Sequence, residues 1–226
     1  LDSLRRLGWW SRTKAEVSIF TRLRRKHFDT VVLAPRDRFV VWAYASGAKI
    51  RVGQRRQVYH QFLTHKPDIH KSNAGSIKYY SNLVAAIGAK TDSFETEFFV
   101  PLHMEESAKQ FLARNGVTDC AKLLAIHPGA GANDRIWPPE RFATLIDALQ
   151  SEHGVRVLLC GGLHDHHLLD KVAASTKTTP LIADTGQDIT LLAALLKRCS
   201  LFIGNNSGPR HLAAAVGTRT LVLLTR

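Results

Sequence analysis

Short apolar runs alternate with amphipathic stretches along most of this chain. In the second half the apolar runs begin at residues 123, 156, 181, 201 and 220. Runs of this length are typical of buried strands, and the amphipathic stretches between them have the spacing of helices packed on a sheet. Strands that alternate with helices form parallel βαβ units, so the pattern predicts an α/β protein.

The first half of the chain repeats this alternation less regularly. Over the whole chain the predicted strands are 28–34, 49–52, 97–100, 123–127, 156–160, 181–182, 201–203 and 220–224. The predicted helices are 1–26, 37–46, 76–87, 104–115, 139–152, 168–175, 189–198 and 209–216. A second series of alternating strands and helices has its first strand at residue 123. We assign the predicted helix 104–115 before that strand to the same domain, so the predicted domain boundary lies between residues 103 and 104.

The composition is that of a globular protein, with 45% hydrophobic and 22% charged residues. No apolar run approaches the ~20 residues that span a bilayer. The three cysteines, Cys120, Cys160 and Cys199, have no CxxC spacing and lie in or beside apolar stretches. They are predicted to be buried reduced thiols, which favours a cytoplasmic protein.

Positive charge is concentrated at the front of the chain. Residues 1–60 carry 14 Lys and Arg against 4 Asp and Glu, whereas the remainder carries 17 against 15. This asymmetry indicates either an anionic partner or a merely solvated basic face. Nucleic acid, an acidic lipid surface and a phosphorylated or carboxylated substrate are all compatible with it.

Three predicted strand-to-helix turns in the second half are rich in small or polar residues. They are residues 127–131 (His-Pro-Gly-Ala-Gly), Gly161-Gly162 and residues 205–208 (Asn-Asn-Ser-Gly). The carboxyl ends of parallel strands share one edge of a sheet, where open α/β folds bind ligands. Together the turns predict a crevice lined by backbone N–H groups that suits a nucleotide or a sugar phosphate.

The last of these turns is the strongest single signal. Ser207 is suited to cap the following helix, and Pro209 is suited to its first turn. The positive end of that helix and its unpaired N–H groups can hold a phosphate, and Arg210 and His211 can add donors. Arg135, near the first turn, is a second candidate phosphate ligand, whereas its neighbour Trp137 is predicted to pack in the core.

Several ordered motifs of this chain together resemble the bacterial lipopolysaccharide heptosyltransferases, glycosyltransferase family 9. They are residues 127–143 (His-Pro-Gly-Ala through Arg-Ile-Trp-Pro-Pro-Glu-Arg-Phe-Ala), residues 158–162 and residues 205–215. Residues 23–33 and 47–53 are similar to the N-terminal domain of that family. The resemblance covers nearly the whole chain.

This resemblance implies a GT-B architecture, in which two Rossmann-like parallel-sheet domains flank the active site. Residues 1–103 would be a partial acceptor-side domain, and residues 104–226 a nucleotide-sugar domain without its C-terminal end. The implied reaction is an inverting, metal-independent transfer, without a cofactor, of heptose from ADP-heptose to the Kdo/heptose inner core of lipopolysaccharide. The implied protein is cytoplasmic, touches the inner membrane peripherally and binds no nucleic acid.

The resemblance also implies a set of donor-binding residues. Arg135 corresponds to a basic residue on the diphosphate, Asp165 to an acidic residue near the ribose or sugar, and Ile189 to an adenine neighbour. The remaining candidates belong to the Gly-rich loop at 129–131 and to the turn at 205–208 with the start of its helix. We call this second segment the phosphate turn. The candidates are Gly129, Ala130, Gly131, Asn206, Ser207, Gly208 and His211.

Two departures from the family pattern bear on activity. The family usually carries Asp where this chain has Asn206, so that position keeps an acceptor but loses a charge. The family's proposed base is an Asp in a Gly-Asp turn that this chain does not contain, so we name no catalytic residue and expect the base upstream of Leu1. A catalytically degenerate nucleotide- or glycan-binding protein is therefore the alternative.

Two further interpretations are disfavoured. The sequence His-Asp-His-His at 164–167 has the composition of a metal site, but adjacent residues do not converge easily on one ion, so we predict a solvated loop. A DNA-binding protein would explain the charge, but no basic stretch is interleaved with aromatic residues as in single-strand binders.

Overall fold

The computed structural model describes residues 9–33, 38–55, 58–69, 76–90, 93–118, 121–186 and 188–224. The chain divides into two compact units, Leu1–Phe94 and Glu95–Arg226. The division falls a few residues before the predicted one, and the acceptor and donor roles of the two halves stay predictions. Cys120 and the first eight residues of the predicted first helix lie outside the described residues.

The N-terminal unit contains a small parallel sheet. Its elements are α1 (Trp9–Arg25), β1 (Thr30–Val32), α2 (Arg38–Ala45), β2 (Ile50–Val52), a 3-10 helix (His60–Phe62) and α3 (Ser76–Ala85). β1 and β2 pair in parallel, with Val31 opposite Arg51. Two clusters of buried side chains hold the unit together, one around Leu33 and Val40 and the other around Val52 and Leu83.

The C-terminal unit is a five-stranded parallel sheet with helices on both faces. Its strands are β3 (Leu123–His127), β4 (Arg156–Gly161), β5 (Leu181–Asp184), β6 (Leu201–Asn205) and β7 (Arg219–Leu223). Its helices are α4 (Leu102–Arg114), α5 (Pro139–His153), α6 (His166–Ser175), α7 (Ile189–Lys197) and α8 (Gly208–Ala215). All five strands predicted after residue 120 are present, so the α/β prediction is confirmed.

The strand order in this sheet is β5-β4-β3-β6-β7. The chain winds outward from β3 in one direction and then returns to continue on the other side of β3. Because such crossovers are right-handed, the reversal moves the connecting helices to the opposite face. Ile126 accordingly packs with α5 and α6, while its neighbour Ala125 packs with α4, α7 and α8. This is the order of a Rossmann-like sheet.

The predicted strand at 97–100 is wrong. Residues 93–101 have no regular structure, although Phe98, Phe99 and Val100 have strong strand propensity. The N–H of Phe98 donates to the carbonyl of Ala215, but no strand of the described chain pairs with the segment. Phe99 is 83% exposed, whereas Val100 is buried and Phe98 packs against the core of the C-terminal unit, so the segment attaches to that unit by its side chains and not by sheet pairing.

Cys160 and Cys199 are buried and free, as the sequence predicts. Burial raises the pKa of both thiols, that of Cys199 to about 12, so neither is a reactive thiolate near neutral pH. Within the described part of the chain, no helix is long and apolar enough to cross a membrane.

The carboxylate of Asp147 on α5 fastens the loop that follows α6. It accepts hydrogen bonds from the N–H of Lys177, the N–H of Thr178 and the hydroxyl of Thr178, at 2.7–3.0 Å. Burial acts to raise its pKa, but these donors outweigh that effect and lower it. We expect Asp147→Ala to cost about 1–2 kcal/mol, discounted for the solvent exposure of the group. Urea unfolding would measure the loss, and an equal midpoint in Asp147→Ala and the unmodified chain would contradict it.

Candidate functional site

The three small-residue turns meet where the sequence predicts, at the carboxyl ends of adjacent strands. They follow β4, β3 and β6, which are neighbours in the sheet. A cleft of about 340 Å³ lies at this edge. It is lined by His127, Ala130, Gly131, Gly162, His164, Asp165, Thr185, Gly186, Asp188, Ile189, Leu192, Ser207, Gly208 and Pro209.

The centre of the cleft is the gap between β3 and β6, where the winding reverses. Ligands bind at this point in open α/β sheets. Asn205, at the end of β6, is fully buried and joins the flanking segments. Its amide donates to the carbonyl of Pro128 at 2.7 Å, and its oxygen accepts from the N–H of Trp137 at 3.2 Å. The loop from β3 to α5 is therefore held against the phosphate turn.

Trp137 itself packs in the core, in line with the sequence prediction. Its ring meets Phe142 edge-on, with 4.9 Å between the ring centroids. The same cluster contains Ile126 and Ile203, on the strands that flank the centre of the cleft. The indole therefore anchors the start of α5 to the sheet.

Asp165 ties the turns after β3 and β4 together. Its Oδ2 accepts from the N–H of Gly162 at 3.0 Å and lies 3.3 Å from Nε2 of His127. The hydrogen bond with His127 is the main cause of the lowered pKa of Asp165, and it prevails over the burial that acts to raise it. The group is therefore a carboxylate near neutral pH, and it is still 25% exposed to the cleft.

His127 connects this carboxylate to the phosphate turn. It is the last residue of β3 and is only 3% exposed. Its Nδ1 lies 3.2 Å from Oγ of Ser207, on the opposite side of the ring from Asp165. The aromatic ring of Phe202 stacks on the imidazole at 6.5 Å between centroids. A continuous polar chain thus runs from Gly162 through Asp165 and His127 to Ser207.

This contact corrects one sequence prediction. Ser207 does precede α8 in extended conformation, with Pro209 in the first turn, but its side chain makes no capping hydrogen bond. The hydroxyl lies against His127 instead. The N–H groups at the start of α8 are therefore not used by the Ser207 side chain, which keeps them available to a ligand.

Gly129 permits the close approach of these groups. A Cβ built on Gly129 would lie 2.3 Å from Oδ1 of Asp165 and 2.8 Å from Cε1 of His127. Both side chains are held in the polar chain, so neither can move aside without loss of a hydrogen bond. Only glycine fits at this position of the loop.

The structure brings together most of the predicted site residues. Six of them line the cleft, and Gly129 is buried directly behind Asp165: the six are Ala130, Gly131, Asp165, Ile189, Ser207 and Gly208. The other three, Arg135, Asn206 and His211, are exposed and do not belong to the lining. Arg135 ends a 3-10 turn formed by Asn133–Arg135.

His211 is engaged with its neighbour. The Nη2 of Arg210 lies 2.6 Å from Nε2 of the His211 ring. Burial and then the charge of Arg210 lower the pKa of His211. Since a guanidinium only donates hydrogen bonds, His211 accepts one as a neutral ring. The cation in the first turn of this helix is therefore Arg210 rather than His211.

Eight residues that line the cleft are not among the predicted ligands: His127, Gly162, His164, Thr185, Gly186, Asp188, Leu192 and Pro209. Two of them carry a signal in the sequence. His127 is the last residue of an apolar strand, directly before Pro-Gly, and Asp188 immediately precedes an apolar helix. The carboxylate of Asp188 indeed caps α7, because it accepts from the N–H groups of Thr190 and Leu191 at 2.9 Å.

The histidines at 164–167 do not gather around one point. His164 lines the cleft, whereas His166 and His167 begin α6, and Nε2 of His166 lies 3.1 Å from Oδ2 of Asp184. These residues are thus partly helical rather than wholly in a loop. In the described ranges, no group of three or more His, Cys, Asp and Glu side chains has the geometry to hold a metal ion.

Comparison with known families identifies the chain. The model of glycosyltransferase family 9 (heptosyltransferase) matches residues 17–225. The chain belongs to this family. The family resemblance inferred from the motifs is therefore confirmed over both units.

Individual members of the family are similar in sequence and in fold. Lipopolysaccharide heptosyltransferase 3 of Escherichia coli K12 is 26% identical over an alignment of 224 residues, which covers 96% of this chain and 64% of that protein. A glycosyltransferase family 9 structure from Veillonella parvula has a TM-score of 0.79 at 24% identity, covering 90% of this chain and 60% of that one. The structure of E. coli ADP-heptose lipopolysaccharide heptosyltransferase II has a TM-score of 0.74 at 19% identity, covering 91% and 65%.

The chain thus spans less than two thirds of the length of these relatives. The likeness to the two solved structures establishes the fold, a GT-B type with parallel sheets. The predicted fold class is confirmed by this likeness.

Proposed function

We propose that this chain is part of an inverting heptosyltransferase that moves heptose from ADP-heptose to the Kdo/heptose inner core of lipopolysaccharide. The observation that carries the proposal is the cleft at the ends of β3, β4 and β6, in a chain of the heptosyltransferase family. The similar E. coli protein named for ADP-heptose and lipopolysaccharide supports this choice of donor and acceptor.

The C-terminal unit has the features of a donor site. The N–H groups at the start of α8 suit a diphosphate, and the guanidinium of Arg135 suits its outer oxygens. Ile189, which lines the cleft and is 56% exposed, suits an adenine face. Asp165 keeps one free carboxylate oxygen for a ribose or sugar hydroxyl, because its two hydrogen bonds both use Oδ2.

The reaction we propose is a single displacement at the anomeric carbon. An acceptor hydroxyl attacks as the bond to the diphosphate breaks, and negative charge develops on the leaving ADP. Positive groups fixed around that charge before the reaction lower its barrier most effectively. The start of α8 supplies such fixed N–H groups without a metal ion or cofactor, and Arg135, exposed on the loop after β3, adds positive charge from outside the cleft lining. We assign the base to no residue of this chain. Asn206 replaces a family carboxylate and is expected to alter the preference for the donor sugar.

The N-terminal unit suits an anionic acceptor. Exposed cations are concentrated there at the C-terminal end of α1, directly after it, and in the segments that flank β2: Arg22, Arg24, Arg25, Lys26, Lys49 and Arg55. An acceptor core that carries carboxylates and phosphates complements this charge, and so does the anionic face of a membrane. We therefore propose an acceptor-side role, with peripheral contact at the cytoplasmic face of the inner membrane and without nucleic acid.

Binding of ADP tests the donor assignment. We expect the chain to bind ADP measurably, and Arg135→Ala to lose about 1–3 kcal/mol of the binding free energy, as for a charge-assisted hydrogen bond. Isothermal titration calorimetry would measure both affinities.

Arg156→Ala is the matched control for this titration. Arg156 is an exposed arginine at the amino end of β4, the opposite edge of the sheet from the cleft. Its removal should leave ADP affinity unchanged. Equal affinity of the Arg135→Ala variant and the unmodified chain would remove Arg135 from the site, and absence of ADP binding would overturn the donor site as a whole.

A further inference from the structure

The polar chain across the cleft contains one group whose proton content can change when a ligand binds. Asp165 is at one end, Ser207 is at the other, and the imidazole of His127 lies between them at 3.3 and 3.2 Å. Ser207 lines the cleft beside the start of α8, so its hydroxyl is the member of the chain that meets a bound anion.

The donors and acceptors in this chain can be assigned from chemistry. An ionised Asp165 only accepts, so Nε2 of His127 must carry a proton. In a neutral imidazole Nδ1 is then an acceptor, and the hydroxyl of Ser207 donates its proton to it. In this arrangement Ser207 presents only oxygen lone pairs to the cleft, and these repel the oxygens of a phosphate.

A bound diphosphate needs the Ser207 hydroxyl as a hydrogen-bond donor, which is the opposite of the role that faces the cleft in the free chain. For Ser207 to donate to a phosphate oxygen, its O–H must rotate away from His127. Nδ1 then regains a hydrogen bond only if it takes up a proton and donates to Oγ of Ser207. The imidazolium formed in this way is held between the carboxylate of Asp165 and an oxygen whose own proton points to the ligand.

We propose that binding of a nucleoside diphosphate in this cleft is coupled to the uptake of one proton by His127, through reversal of the Ser207 hydrogen bond. The proton comes from solvent and forms an N–H bond at Nδ1, and no bond between heavy atoms forms or breaks. The inference deepens the proposed function and rests on it. In a transferase, the positive charge gained in this way lies next to the leaving group, and release of ADP returns the proton.

The other charged groups around His127 allow this assignment. On the side of α6 the ring faces Asp165, whose carboxylate stabilises an imidazolium, and His164 lies close to that carboxylate. β6 contributes the uncharged ring of Phe202, and β4 contributes Cys160, a neutral thiol. At the start of α7, Asp188 lines the same cleft with its carboxylate. The start of α8 contributes the neutral hydroxyl of Ser207 and the cation Arg210, whose guanidinium is engaged with the ring of His211.

Calorimetry of ADP binding at pH 8 in buffers of different ionisation enthalpy measures the number of protons taken up. This pH is at the basic end of the range in which histidines titrate, and terminal phosphates have lost their second proton, which leaves at about pH 6. We expect the full 226-residue chain to take up a large fraction of one proton per ADP. Histidine nitrogen spectra should show Nδ1 of His127 unprotonated in the free chain and protonated with ADP.

Three variants separate the coupling from simple binding. Ser207→Ala removes the hydroxyl with little change in volume, and we expect it to abolish proton uptake and weaken ADP binding about tenfold. His127→Gln should also abolish uptake. Thr185→Val is the matched control, because it deletes another cleft-lining hydroxyl outside the polar chain, and uptake should persist.

Each outcome decides between defined alternatives. ADP binding with no dependence of the enthalpy on buffer would overturn the inference and leave the proposed function standing. Undiminished proton uptake in Ser207→Ala would also overturn it, since the proton would then go elsewhere. No binding of ADP by the unmodified chain would overturn the proposed function and this inference together.

Discussion

Replacement of Gly204 by alanine is expected to destabilise the C-terminal unit by about 3 kcal/mol or more. Gly204 lies in β6 directly opposite His127 of β3, at the centre of the sheet. A Cβ built there would lie 2.6 Å from the carbonyl oxygen of His127 and 3.1 Å from the ring of Phe202. The first contact is with backbone, so β3 and β6 must move apart to accept a methyl group.

That movement would damage the fold and the cleft together. Gly204 is also paired with Val222 of β7, so β6 is held from both sides and cannot shift as a unit. The same displacement would pull His127 away from Ser207, and ADP binding should fall with stability. Urea unfolding, combined with amide hydrogen exchange in β3 and β6, separates the C-terminal unit from the N-terminal one.

Gly131→Ala is the control for this substitution. Gly131 lies in the loop after β3, and a Cβ there meets nothing within 4 Å. Its backbone conformation is also open to an L residue, so alanine should be neutral or slightly stabilising. An unchanged urea midpoint in Gly204→Ala would contradict this prediction, because it would show that β3 and β6 accept the added methyl group without loss of stability.

The contrast between these two glycines illustrates what the sequence could and could not predict. Both belong to small-residue segments at the ends of predicted strands, and nothing local distinguishes them. The close approach at Gly204 exists because β3, about 80 residues earlier in the chain, pairs with β6. Pairing of distant strands is a property of the whole sheet, and the sequence of β6 alone does not contain it.

The central strands β3, β4 and β6 were predictable because they are almost wholly buried. Every residue of β3 is buried, so the run Leu123–His127 reads as apolar on both faces. Phe98 and its neighbours have similar propensity, but none of the strands that the structure describes pairs with them, and they form no strand. A single sequence records the tendency to form a strand but not whether a partner is there.

The candidate site also has one feature that local sequence rules predict and one that they do not. The position of the phosphate turn followed from local rules, since Ser, Gly and Pro at the start of α8 are found where those rules predict. The direction of the Ser207 hydroxyl did not follow from local rules. Its two possible partners were the N–H groups of its own helix and a group on a neighbouring strand, and the second prevailed because His127 lies beside it in the folded sheet.

Asp165 is the residue whose loss should affect both stability and binding. Asp165→Ala leaves the N–H of Gly162 and Nε2 of the buried His127 without their acceptor. Hydrogen bonds to a charged group contribute about 1.5–3 kcal/mol each, and the 25% exposure of this side chain reduces that value. We expect a total loss of about 3 kcal/mol in the free energy of unfolding, together with loss of ADP binding.

Asp165→Asn separates the charge from the hydrogen bonds. The two donors meet at a single oxygen, Oδ2, so an amide oxygen in its place can accept both. This variant should therefore keep most of the stability that alanine loses. Without a carboxylate to stabilise an imidazolium at His127, it should still bind ADP more weakly than the unmodified chain.

The pH dependence of unfolding identifies the contribution of the charge. Because the native pKa of Asp165 is lowered, mainly by the hydrogen bond with His127, the carboxylate stabilises the fold fully above the unfolded-state pKa of about 4. This stabilisation is lost as the pH falls through the lower native value. Urea midpoints measured from pH 7 downward should therefore fall less steeply in Asp165→Asn than in the unmodified chain. Parallel curves for the two proteins would mean that the carboxylate is not held by His127, and that the polar chain across the cleft is not formed in solution.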